Sequence, residues 1–399
     1  MFNNTFNSYK PVYQQTSSDV HYPWNSNNYA VYWNNNDIEI VHIDETEGEP
    51  SESSVYTILS AHPGAGFTLV DLSISSSSKW IVFTYYDDST PSSCYCKFYE
   101  KTSTNVWTVH STIPFTVTLP SDYPRFTAIP GGYLTSSSDE TIFTASSFTD
   151  SEVIERSGAV FVFEYSSPTW TMVQKIVNNG DTPHYVENPT LLPYYYIGSK
   201  FGSSVVMNSN GSKIIISAPV RKKTYVEQGE VKVYEKSGAT WTLTQTIDAP
   251  DPFLGSKFGH PKLSANSDLT KLFICQQESL IDGVKLYQFT FSTSYLMTHL
   301  IFAGMNVSVL SSITYNDFDK NEINVSSDGN DVYVNNSYHS KFIKKIEWNG
   351  VGYDVKNIVS TPLPFNPQHL IDWVSPSGKF ISTWDDSVPD YSLGQVFLY

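Results

Sequence analysis

The chain has 399 residues, a net charge of −16 and only 16% charged side chains, with 27 Tyr and 23 Phe. So acidic a chain lacks the basic face that nucleic acid or an anionic membrane surface requires, and charged residues well below the roughly 25% of ordinary domains argue against long solvent-facing helices. A surface of Ser, Thr, Asn and Tyr suits strands, arranged either as two or three ordinary domains or as one large repeat array.

In chain order, the opening MFNNTFNSYKPVYQQ carries no apolar stretch of the signal-peptide kind. No run approaches 18 apolar residues. The expectation is a chain made without a leader, without membrane insertion, and cytoplasmic or incorporated in a virus particle. Tyr29–Trp33, Ile38–Ile43 and Val55–Leu59 read as strands of a first unit. Trp107 and Ile113 then begin a spacing that recurs as Trp170 with Ile176, Trp241 with Ile247 and Tyr295 with Ile301, always six apart. Gln174 and Gln245 repeat at one offset from Trp170 and Trp241. The sequence GSKFG occurs at 198–202 and again at 255–259, a step of 57.

Between those two copies four strands are predicted. Ser203–Met207 leads to the turn Asn208–Gly211. Lys213–Ala218 (KIIISA) is apolar almost throughout, which predicts burial on both faces. Gly229–Tyr234 and Trp241–Ile247 alternate. Ser327–Gly329, Val332–Val334 and Tyr353–Val359 give a weaker copy, and Gly394–Tyr399 ends the chain one strand short of a unit. Asn7–Gln15 is assigned as the missing outer strand, where Pro11 is tolerable. The expected fold is therefore all-β: a seven-bladed β-propeller of four-stranded antiparallel blades, closed by pairing of N- and C-terminal strands. The blades span 17–66, 67–122, 123–197, 198–254, 255–303, 304–360, and 361–399 plus 1–16, all in one domain. The 399 residues shared over seven units give 57 each, the step of the GSKFG repeat.

Phe201-Gly202 followed by Ser217-Ala218-Pro219, with the trailing Trp241 and Gln245-Thr246-Ile247, resembles the FG-GAP repeat of integrin-α-type propellers, most specifically over 123–303. The resemblance implies a protein-binding propeller, some members of which hold calcium on an Asp-x-Asp-x-Asp-Gly loop. The corresponding turns here read Asn208-Ser-Asn-Gly211, Ser136-Ser-Ser-Asp139 and Asn266-Ser-Asp268, too poor in carboxylate for calcium. Asp328–Asp331 and the pair Asp317, Asp319 are the best remnants. No metal and no cofactor is expected.

No catalytic residue is assigned. The nine His show no HExxH or HxH spacing, and there is no Gly-x-Ser-x-Gly elbow or P-loop. Cys94, Cys96 and Cys275 are too few for a structural zinc site. Asp87-Asp88, Asp385-Asp386 and Asp390 are loop carboxylates without an evident pairing.

Strand alternation puts four long segments, Tyr85–Ser93, Phe148–Ser157, Pro219–Gln228 and Trp384–Leu393, on one face. The longest connection, Asn178–Ile197, carries His184 and Tyr194, Tyr195, Tyr196, and the loop beside it carries Arg221, Lys222, Lys223. Aromatic and Arg side chains are what protein interfaces favour, so these seven residues are the candidate interface. The alternative is that the tyrosines pack the insertion onto its own blade and the cations are solvated. The expected function is a non-enzymatic interaction or structural module in a larger assembly, with other protein subunits as partners and a minor capsid protein of a large DNA virus as the expected case. The alternative is a carbohydrate-binding or carbohydrate-active propeller.

Overall fold

The structure is a computed structural model. It describes residues 13–14, 29–34, 36–44, 51–75, 77–119, 135–136, 141–147, 150–153, 156–182, 184–186, 195–260, 263–277, 284–302, 321–326, 328–336, 342–350, 353–357, 369–374, 380–385 and 395–398. Every regular element among them is a strand. They form six four-stranded antiparallel sheets, one three-stranded sheet and one two-stranded hairpin. The chain divides into two compact units, one of residues 64–75 and 79–319 and the other of 1–63, 76–78 and 320–399.

The first unit holds four sheets in sequence. Phe67–Ile74, Trp80–Asp87, Thr90–Ser103 and Val106–Thr116 make one. Thr135–Ser136, Ile142–Ser147, Ala159–Ser166 and Thr169–Val177 make the next. Val205–Met207, Lys213–Ala218, Glu230–Ser237 and Thr240–Asp248 make the third, and Leu263–Ala265, Lys271–Gln277, Val284–Phe291 and Tyr295–Phe302 the fourth. Successive sheets pack face against face, which explains the unbroken apolar run of KIIISA. Ile214 and Ile216 point into one core with Val160, Val162 and Ile176 of the preceding sheet. Ile215 points the other way, against Leu263, Leu272 and Ile274 of the following one. All six residues of the strand are buried. With both faces covered, alternation has no solvent side to mark.

The GSKFG repeat is a latch between neighbouring sheets. Phe201 N donates to Ser157 O at 2.8 Å, and Phe258 N to Gln228 O at 3.0 Å. Ser199 Oγ donates to the same Ser157 carbonyl at 3.1 Å, and Ser256 Oγ to Gln228 at 3.0 Å. Gly202 N reaches Ser217 O and Gly259 N reaches Cys275 O, anchoring each copy to its own sheet. Both phenylalanines are fully buried. The preceding sheet meets the latch with a glycine, because a β-carbon at Gly229 would lie 2.4 Å from Phe258 N and O. Gly229 also has φ +83°, a region that side chains disfavour. A second latch joins the outer strands. Gln174 Oε1 accepts Trp241 N at 2.7 Å while its Nε2 donates to Trp241 O at 3.2 Å. Gln245 does the same to Tyr295, at 2.8 and 2.9 Å.

In the other unit, Tyr29–Asn34, Asp37–Asp44 and Ser51–Ile58 form the three-stranded sheet. Asn321–Val325, Asp331–Asn336, Phe342–Trp348 and Tyr353–Asn357 form a four-stranded one. His369–Val374, Phe380–Asp385 and Gln395–Leu398 form another, whose fourth strand comes from the opposite end of the chain: Tyr13 pairs with Val396 and Gln14 with Gln395. The rest of the predicted N-terminal strand lies outside the described residues. One predicted loop is corrected. Within Tyr85–Ser93 only Asp88-Ser89 separates two strands, since Asp87 Oδ1 accepts both the amide and the hydroxyl of Ser89 and turns the chain tightly.

Candidate functional site

At one end of the 205–248 sheet lie the loop between its second and third strands, 219–229, and the connection to the next sheet, 249–258. The loop is held by its own backbone. Arg221 N donates to Ala218 O, Gly229 N to Arg221 O, and Val220 N to Ser199 O. It is tied to its neighbour by Gly255 N to Val226 O at 2.9 Å and Lys257 N to Glu227 O at 2.8 Å.

The basic triplet divides. Arg221 Nη1 donates to Asp181 Oδ1 at 2.7 Å and Nη2 to Gly180 O at 2.7 Å, and its Nε lies 3.5 Å from Glu230 Oε1. Lys223 pairs with Glu230 at 3.2 Å and with Asp248. Burial alone would lower the Lys223 pKa, but Asp248 and Glu230 outweigh it and hold it above the ordinary lysine value. Lys232 completes the group, 3.4 Å from Glu230 and bonded to Asn178 Oδ1. Asp181 also accepts from Ser199 N at 2.6 Å. The carboxylates of Asp181 and Glu230 are 0% and 2% exposed. Three cations thus meet the three carboxylates of Asp181, Glu230 and Asp248, and charge balance is what lets such a group be buried. Arg221 and Lys223 brace the loop from within, because the buried carboxylates of Asp181 and Glu230 behind it require them. Lys222 is exposed and makes no ion pair among the described residues.

Two further side chains stand out beside Lys222. Tyr225, on the same loop, is 43% exposed, and Leu254, on the connection bonded to it, is 55% exposed. Neither was singled out in the sequence, although Leu254 directly precedes the second GSKFG. Of the insertion, His184–Val186 and Tyr195–Ile197 form the two-stranded hairpin, His184 opposite Ile197, Tyr185 opposite Tyr196 and Val186 opposite Tyr195. Tyr194 lies outside the described residues.

The other candidate groups are engaged in turns or buried. Asn208 Oδ1 accepts Lys213 N and Asn210 Oδ1 accepts the amide and hydroxyl of Ser212. Asn266 and Asp268 do the same for Lys271 and Thr270. Asp328 accepts from Ser326 Oγ and from the amide and side chain of Asn330. The oxygens of these turns are spent on their own N–H and O–H groups. Among the described residues no three His, Cys, Asp or Glu come together as a metal site. Asp317, Asp319, Asp386 and Asp390 lie outside the described residues. Burial pushes the Cys94 thiol up to about 12 and raises those of Cys96 and Cys275 as well. None of the three is a ready thiolate.

No protein-family model matches the chain, and no curated protein matches it in sequence. Solved structures match it along its whole length. A subunit of a mitotic checkpoint complex superposes with a TM-score of 0.56 at 9% identity, over 100% of this chain and 98% of that one. The C-terminal WD40 domain of Sif2 does so at 0.51 and 12%, over 98% of each. The chain has a β-propeller-type fold. A candidate 6-phosphogluconolactonase from Bacteroides fragilis also matches, with a TM-score of 0.52 at 13% identity over 99% of this chain and 95% of that one. At such identities the likeness is of fold alone. It nonetheless overturns the expectation that the chain is not an enzyme. That expectation rested on missing local motifs, yet this fold is shared with a candidate enzyme, and a site assembled from separate sheets leaves no local motif to find.

Proposed function

We propose that the protein is an interaction module of a larger assembly and that its partner is another protein subunit, received at the 219–229 end of the 205–248 sheet. The observation that carries this reading is the pair of large, exposed side chains, Tyr225 and Leu254, on connections fixed by hydrogen bonds and by the Arg221–Glu230–Asp181 group. Exposed apolar anchors on a braced loop bind with little ordering cost. Lys222 supplies rim charge, and we propose His184, Tyr194, Tyr195 and Tyr196, the candidates named from the sequence, as further members of the interface. The superposition on the WD40 domain of Sif2 and on a chain of a mitotic checkpoint complex supports a partner of protein kind.

The ring we propose has seven blades of about 57 residues and is closed by the N-terminal strand. The pairing of Tyr13 and Gln14 with Val396 and Gln395 supports the closure. As the assembly we propose the particle of a large DNA virus, on the FG-GAP resemblance and the acidic, Tyr- and Asn-rich composition. The test is co-elution of the full-length chain with its assembly from the source material on size exclusion. The double variant Tyr225→Ala/Leu254→Ala should leave the chain folded and shift it to the monomer position. A chain that stays in the assembly with both anchors removed would contradict this surface.

A further inference from the structure

Beside the ion group that braces the loop, and sharing its Lys232, a cleft of about 260 Å³ opens between the outer strand of the 135–177 sheet and the outer half of the 205–248 sheet. It is lined by Gln174–Val177 and Asn179 on one side and by Lys232, Tyr234, Trp241 and Leu243 on the other. Two of its side chains carry unused hydrogen-bonding groups. Trp241 is 3% exposed, and its Nε1–H is buried without an acceptor. Tyr234 is 6% exposed, and its hydroxyl makes no hydrogen bond among the described residues. Burial, and behind it the charge of Glu230, raises its pKa, so the hydroxyl stays protonated and able to donate. The indole of Trp170 is orphaned in the same way, so an unpartnered indole alone would not mark a site. The cleft and the Tyr234 hydroxyl distinguish Trp241.

The charges at the cleft decide the class of ligand. Lys175 is 2.9 Å from Asp150 and also pairs with Glu152, and Lys232 is held by Glu230 and Asn178. Lys175 and Lys232 are the charged groups that line the cleft, and both ammonium groups are already countered by carboxylates, so neither is left to draw in an anion. Leu243, 47% exposed, and the half-buried Val177 form an apolar lip. A buried donor is stabilised by meeting an acceptor, and specific pockets combine such donors with apolar walls. We propose that this cleft binds a neutral, hydroxylated ring of monosaccharide size, whose oxygens accept from Trp241 Nε1–H and Tyr234 O–H while its C–H face rests on Leu243 and Val177. The volume falls at or below the small end of ligand sites, which run from about 300 to 1,000 Å³.

The experiment follows the indole itself. The full chain labelled with 15N-tryptophan has nine Trp, and Trp241→Phe identifies the Nε1–H resonance of interest. Methyl α-glucoside, α-galactoside and α-mannoside are titrated separately, with gluconate as the charged counterpart. At least one neutral sugar should shift the Trp241 resonance saturably. Tyr234→Phe, which keeps the ring, should weaken that binding about three- to tenfold, the worth of one hydrogen bond. Leu243→Arg, on an exposed position, should abolish it while the other indole resonances stay in place. The proposal is overturned by no shift with any neutral sugar, by shifts that survive both variants unchanged, or by gluconate binding more tightly than every neutral sugar.

Discussion

Replacing Gly229 by alanine tests whether the GSKFG repeat is a latch. Two costs fall on one methyl group. At φ +83° a non-glycine residue is strained, typically by about 1–3 kcal/mol. The new β-carbon would also sit 2.4 Å from Phe258 N and O and 2.9 Å from its Cα. Those are backbone atoms, held by the bond from Phe258 N to Gln228 O, so the following sheet must move away from the preceding one. Forced overpacking of this kind costs about 1–3 kcal/mol more. Gly229→Ala should therefore destabilise by about 2–6 kcal/mol. Gly238→Ala is the control, since its φ is +64° and nothing lies within 4 Å of the added carbon; it should show the strain alone, about 1–3 kcal/mol. Urea denaturation followed by tryptophan fluorescence reads both. Equal destabilisation by the two substitutions, or the larger loss at Gly238, would show that the close approach to Phe258 carries no energy and that the latch is misread.

Arg221→Ala leaves Asp181 and Glu230 buried with less countercharge, so it should destabilise by about 3–5 kcal/mol; Lys222→Ala, one residue on, should stay within about 0.5 kcal/mol of the parent, and equal effects would remove the brace from the account. Deleting residues 1–16 removes the partner of Gln395–Val396 and exposes a sheet edge, so the melting temperature should fall or the chain aggregate; an unchanged melting curve would refute closure by that strand. Partial burial would raise the Asp268 carboxyl, but the amide and hydroxyl of Thr270 outweigh it and hold it below its ordinary 3.8. Its stabilisation is then present above 3.8 and lost as pH falls through the lowered value. Asp268→Asn keeps the acceptor, as Asn210 does in the sibling turn, and should flatten the acid side of the stability–pH curve; an acid limb unchanged by the substitution would contradict this.

Much of the fold was legible because its constraints repeat. Lys213–Ala218 was predicted with the bounds it has, since a strand covered on both faces shows as an apolar run. The GSKFG copies and the Gln174 and Gln245 offsets were visible as repeats, but not as latches, because each hydrogen-bonds a residue of a different repeat. Tyr85–Ser93 was misjudged for a local reason: Asp87 makes a two-residue turn where a longer loop was expected. The candidate site was less legible. Arg221 and Lys223 read as a surface charge run because their partners Asp181 and Glu230 are 40 and 7 residues away in sequence and were not singled out as acids needing countercharge. Tyr225 and Leu254 are isolated residues in loops, and nothing in a single sequence marks which loop side chains stay exposed.

The most direct test of the protein-interaction claim is site-specific photocrosslinking in the source material. A benzoylphenylalanine is placed at Tyr225, and in a second sample at Ala239, an exposed residue in the turn between Ser237 and Thr240 at the other end of the same sheet. The account predicts one dominant protein adduct from position 225, identified by mass spectrometry, weakened by Lys222→Glu and missing from position 239. No adduct from position 225, or the same adduct in equal yield from position 239, would contradict it.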